Sequence, residues 1–76
     1  MMTFKEFIEM YDDWDAYIVI NDINSKPFVR GTGLQIYEND YAMTLISDKK
    51  VVSFGIYNGL LTIKVNANIN DIRKEN

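Results

Sequence analysis

The sequence predicts an α+β domain: an N-terminal helix packed on a small antiparallel β-sheet of two hairpins, in the order α-β-β-(short α)-β-β. Three observations carry this. Residues 51–65, VVSFGIYNGLLTIKV, are two apolar runs separated by Asn58 and Gly59, the pair a two-residue type I′ turn prefers because both central residues need positive φ. Thr3-Phe4-Lys5-Glu6 has the spacing of a capping box and leads into Phe4, Phe7, Ile8 and Tyr11, a single apolar stripe at helical spacing. Between these, residues 16–22 are rich in β-branched side chains and lead into NDINSKP, which is turn chemistry throughout, with residues 27–32 as the return strand.

In chain order, the helix begins at Thr3, its stripe lying on the sheet and Lys5, Glu6 and Glu9 left to water. It runs into Asp12, Asp13, Trp14 and Asp15. Carboxylates at a helix C-terminus oppose the macrodipole by roughly 0.3–1 kcal/mol each, and a broken local rule raises a functional question. Either the acids form a solvated turn with Trp14 tucked under the helix, or Trp14 is an exposed anchor ringed by acids. Three aspartates within four positions do not match the spacing of an EF-hand calcium loop, so no metal site is assigned.

The first strand places Ile18 and Ile20 inward and Tyr17 and Val19 outward. Pro27 at the start of the return strand suits a sheet edge. Gly31-Thr32-Gly33 lacks the lysine and the glycine spacing of a phosphate loop and reads as a bulge or strand exit. Residues 34–46 show both helical spacing (Tyr37, Tyr41, Leu45) and alternation (Tyr41, Met43, Leu45); a short helix after an Asp40 cap is the reading adopted.

With Asn58-Gly59 as the turn, Tyr57 faces Leu60, Ile56 faces Leu61, Phe54 faces Ile63 and Val52 faces Val65. That register sorts Val52, Phe54, Ile56, Leu61, Ile63 and Val65 onto the inner face, and Val51, Tyr57 and Leu60 onto the outer. Residues 1–65 therefore form one domain, followed by a polar tail, 66–76, that reads as frayed, with only Ile69 and Ile72 as candidate docking residues.

At 76 residues the chain has little stability to spare for a deep cleft. It has no cysteine and no histidine, which removes disulfides, thiolate nucleophiles, Cys/His zinc sites and the usual proton-transfer side chain. No serine has a histidine to activate it, and no lysine lies in a recognisable nucleophile context. The reading is not an enzyme, with no cofactor. A net charge of −3 and scattered basic residues argue against direct nucleic-acid binding. No apolar segment approaches the ~18 residues needed to span a bilayer, so no membrane partner and a cytoplasmic location are expected.

The segments TFKEFIEMYDDWD, IVINDINSKPFVRG and DKKVVSFGIYNGLLTIKV, in this order, resemble a group of small uncharacterised proteins carried by phages and integrative elements of low-GC Gram-positive bacteria. The likeness covers Thr3 to about Val65; residues 34–46 depart from it, since a proline often precedes the short helix in that group. The resemblance implies a mobile-element setting and an α/β architecture, and no functional residue is carried over from it. Small acidic phage proteins often act stoichiometrically on a host protein, and some block defence nucleases, including anti-CRISPR inhibitors. The leading expectation is such an inhibitor, binding a host protein, a defence nuclease above all, through Asp12, Asp13, Trp14 and Asp15, with Tyr57 as a further partner-binding residue. The alternative is an assembly module that forms a homo-oligomer through its sheet face or edge.

Overall fold

A computed structural model of the chain describes residues 1–74, with side chains described through Asp71. It runs α1 (Phe4–Met10), β1 (Tyr17–Asn21), β2 (Pro27–Thr32), α2 (Gly33–Tyr37), α3 (Asp40–Ile46), β3 (Val51–Tyr57), β4 (Leu60–Val65) and α4 (Ile69–Lys74). The predicted α+β order holds, with the connecting segment split into two short helices.

The expected capping box starts α1. The Thr3 hydroxyl accepts from the Glu6 amide at 3.2 Å, and the Glu6 carboxylate accepts from the Thr3 amide at 2.8 Å. The Thr3 amide and the Thr3 hydroxyl, at 3.1 Å, both donate to the Glu6 carboxylate and hold it below its ordinary pKa. A second capping box, unnoticed in the sequence, starts α2: Thr32 accepts from the Gln35 amide and Gln35 reaches back to the Thr32 amide. Asn39, not Asp40, caps α3 through the Ala42 amide.

The sheet has strand order β2-β1-β4-β3. Both hairpins are antiparallel as predicted, but they join through a parallel contact, Ile18 beside Leu61 and Ile20 beside Ile63, so the sheet is mixed rather than antiparallel. A parallel pair needs a long crossover, and α2 and α3 lie within that connection. Phe4 and Ile8 of α1, Ile36 of α2, Leu45 and Ile46 of α3 and the inner residues Ile18, Ile20, Leu61, Ile63 and Val65 form one core. The helices α1, α2 and α3 thus cover one sheet face.

The second hairpin corrects part of the expected sorting. Asn58 and Gly59 have φ of 53° and 78°, the type I′ geometry, and Tyr57–Leu60, Ile56–Leu61 and Phe54–Ile63 pair as predicted. At the far end a bulge makes Val51, not Val52, the partner of Val65. Val51 is consequently buried, whereas Val52, Phe54 and Ile56, expected in the core, are exposed. Phe54 and Ile56 share the face of Leu61 and Ile63, but β3 is an edge strand, and the cover α1 gives Phe54 is at its margin, with Phe7 at 5.2 Å between ring centroids.

Residues 66–71, assigned to the polar tail, are anchored. The Ile23 amide donates to the Ala67 carbonyl, Ile69 is buried, and the Ile69 amide donates to Asp22 at 2.9 Å. The side chain of Ile72, the other expected docking residue, lies outside the described residues.

Candidate binding surface

The acidic turn is built by backbone bonds around Trp14. The Ala16 amide donates to the Asp13 carbonyl, the Leu34 amide to the Trp14 carbonyl and the Gly33 amide to the Ala16 carbonyl. A glycine suits this approach, since a Cβ at Gly33 would stand 3.2 Å from the Trp14 Cα, a tight contact. The chain is thereby tied to the start of α2, and Asp12, Asp13 and Asp15 are left exposed.

Trp14 lies between the two sequence alternatives. It is half-buried, with its ring 4.8 Å from that of Tyr37 and tilted by 47°. The Tyr37 hydroxyl donates to the Glu9 carboxylate at 2.8 Å, and this bond raises the phenol above its ordinary pKa. Glu9, Tyr37 and Trp14 thus form a chain from α1 to the turn.

Asp22 and Asp48 do not gather at this turn. The pairing of β1 with β4 and of β4 with β3 puts the start of β1 and the Asn58-Gly59 turn at one end of the sheet, and the end of β1 and the start of β3 at the other. Asp22 and Asp48 therefore sit at the opposite end from Asp12, Asp13 and Asp15. Asp22 is also fully buried, where its carboxylate accepts from the amides of Asn24, Lys26 and Ile69, each at 2.9 Å. It is a structural residue, not part of an acidic face.

Tyr57 stands at the turn end of β3, 64% exposed. The expected patch containing it divides in two. Tyr17, Val19, Leu60 and Tyr57 share the sheet face that the helices leave open, while Val51 has moved into the core. The larger apolar surface lies along β3, where Phe54 and Ile56 are 62% and 67% exposed, Val52 is exposed as well, and Met1 and Met10 adjoin them. Met1, Met2, Phe7, Met10, Val52 and Phe54 line a shallow groove of about 500 Å³ here. Sequence reasoning missed this surface. The missing charge along residues 51–57 was a legible signal of it.

Comparison with protein-family models, with curated proteins and with solved structures finds no match to this chain. The surface has to be read from its own chemistry.

Among the described residues, no group of three or more acidic side chains is placed to hold a metal ion, and no helix is long and apolar enough to cross a membrane. The unusual features are the exposed acidic turn at one end of the sheet and the uncharged, apolar strand at its edge.

Proposed function

We propose that this chain acts stoichiometrically, by binding another protein, and that its target is a host protein such as a bacterial defence nuclease. The observation that carries the binding reading is the run of Val52, Phe54 and Ile56, ending at Tyr57, exposed along a free strand edge. Exposed apolar patches of this kind, contiguous and on an open edge, mark contact surfaces. The acidic turn supports the choice of target class. Three carboxylates on a backbone-fixed turn beside a half-buried tryptophan present negative charge with little ordering cost, which suits a basic groove that normally holds nucleic acid.

The test is affinity capture from a low-GC Gram-positive lysate with three immobilised chains: wild type, the triple change D12N/D13N/D15N, and Phe54→Lys. A host protein retained by the wild type and lost by the triple variant is expected, with salt weakening the capture. If that protein is a nuclease, one equivalent of the chain should block its activity. Equal retention by the wild type and the triple variant, or retention by none, overturns the acidic-turn contact. Turnover of a substrate by the purified chain overturns the stoichiometric reading altogether.

A further inference from the structure

We propose that the free edge of β3 pairs with β3 of a second copy of this chain, antiparallel, about a two-fold axis through Phe54, joining two four-stranded sheets into one. This rests on the reading of the chain as a protein-binding domain and names one occupant of its apolar edge.

The two edges of the sheet differ in a way that singles out β3. The outer strand on the other side, β2, carries Pro27 at its start and the exposed Arg30 within it, both devices that keep strand edges from pairing. Strand β3, VVSFGIY, has no charged residue and no proline. Its guards are at the N-terminal end, where a bulge falls between Val51 and Ser53, the Val51 amide donates to the Met2 carbonyl and Thr3 bridges Lys50. The edge from Ser53 to Tyr57 is open.

The backbone of that open stretch is self-complementary. In an antiparallel ladder, directly opposed residues alternate between pairs that exchange both bonds and pairs that exchange none. A two-residue turn makes its flanking pair, Tyr57 and Leu60, a bonded one, and the register extends this to Gly55–Thr62 and Ser53–Lys64. The amide and carbonyl of Phe54 and of Ile56 consequently point away from β4, to the free edge. Centring the two-fold on Phe54 sets Phe54 against Phe54 of the second copy and Ile56 against Val52 of the second copy. Every one of these side chains then falls on the helix-side face, where each copy is short of cover.

That register also fills the groove. Ile56 of the second copy lies beside Val52, at the groove that Met1, Met2 and Met10 line, while Tyr57 stays on the opposite face of the sheet. Phe54 alone would cover on the order of 120 Å² per copy, from ~150–250 Å² for a whole aromatic side chain and its exposure of 62%. The methionines, Val52 and Ile56 move the total towards the ~800 Å² per partner of a standard interface.

Charge selects the antiparallel direction. Lys49 and Lys50 lie at the start of β3, and Asp12, Asp13 and Asp15 lie at the opposite end of the sheet. Antiparallel pairing brings the lysine end of each copy to the acidic end of the other, whereas parallel pairing sets like ends together.

Sedimentation equilibrium on wild type and on Phe54→Lys across the micromolar range tests the pairing, with circular dichroism confirming that both are folded. The wild type should have the mass of two 8.9 kDa chains and the variant that of one, because two lysines would face each other at the axis. A wild type that stays monomeric, or a variant that still dimerises, overturns the proposal. A monomeric wild type that nonetheless captures a host protein through Phe54 overturns self-pairing and leaves the protein-binding reading standing.

Cysteine cross-linking fixes the register on a chain that has no cysteine of its own. Phe54→Cys should form a disulfide dimer under mild oxidation, since bonded antiparallel residues lie about 5.5 Å apart between Cα atoms. Ile56→Cys alone should not, but should do so when mixed with Val52→Cys. Efficient cross-linking of Ile56→Cys by itself overturns the Phe54 axis.

Discussion

Asp22 is the one fully buried polar side chain described, and it accepts three backbone bonds. Burial alone would push its carboxyl pKa up, but the amides of Ile69, Lys26 and Asn24 donate to it and outweigh burial, so the group lies below its ordinary value of 3.8. The bonds join the β1–β2 turn to the segment after β4, 47 residues away in sequence. Asp22→Ala should leave three buried or part-buried amides without an acceptor, lowering stability on the order of 3 kcal/mol, measured by urea denaturation. The pH dependence has a definite sign. A folded-state pKa below the unfolded one gives stability that is complete above pH ~4 and is lost as pH falls through the folded pKa. The wild-type urea midpoint should drop below that pH, and Asp22→Ala should flatten the drop. No sequence pattern distinguishes this aspartate from its exposed neighbours, because its role depends on Ile69 arriving from the other end of the chain.

At the scale of elements, local chemistry decides how much is legible. Asn58-Gly59 dictates its own turn, and the turn then sets the five pairs from Tyr57–Leu60 to Ser53–Lys64 of the β3–β4 register without tertiary help. Gly59→Ala should cost on the order of 1 kcal/mol from backbone strain alone, since φ is 78° and nothing lies within 4 Å of the added Cβ; a lowered thermal midpoint with an unchanged near-ultraviolet spectrum would show it. The register slips only at Val52. There Lys50 and Val51 are held from both sides, the Asn66 amide donating to the Lys50 carbonyl and the Val51 amide to the Met2 carbonyl. Those constraints come from residues distant in sequence, so period-2 alternation could not anticipate the bulge, nor the burial of Val51 in place of Val52. The α2 helix illustrates the opposite case. Its Thr32–Gln35 capping box is local and was readable, and Thr32→Ala should cost about 1 kcal/mol by urea denaturation.

On the scale of the whole molecule, the layer of helices is narrower than the sheet. Apolar alternation marks which residues share a face, but how far α1, α2 and α3 extend across that face is a property of the assembled domain. The acidic turn was therefore legible as a charge cluster, while the missing charge along residues 51–57 pointed to an edge but not to how little of it the helices cover. The two features predict different responses to substitution. The change D12N/D13N/D15N removes three negative charges from a net charge of −3, bringing the chain to neutrality at pH 7. All three carboxylates are exposed, and they follow the C-terminal end of α1, where they oppose its macrodipole. The variant should thus be at least as stable as the wild type, by roughly 0.3–1 kcal/mol per relieved charge where the helix end is close, yet less soluble, since a neutral chain loses its self-repulsion. A raised or unchanged urea midpoint together with precipitation near pH 7 is the expected outcome. A large loss of stability would mean that the carboxylates hold the turn, and capture experiments with this variant would then report on folding rather than on contact.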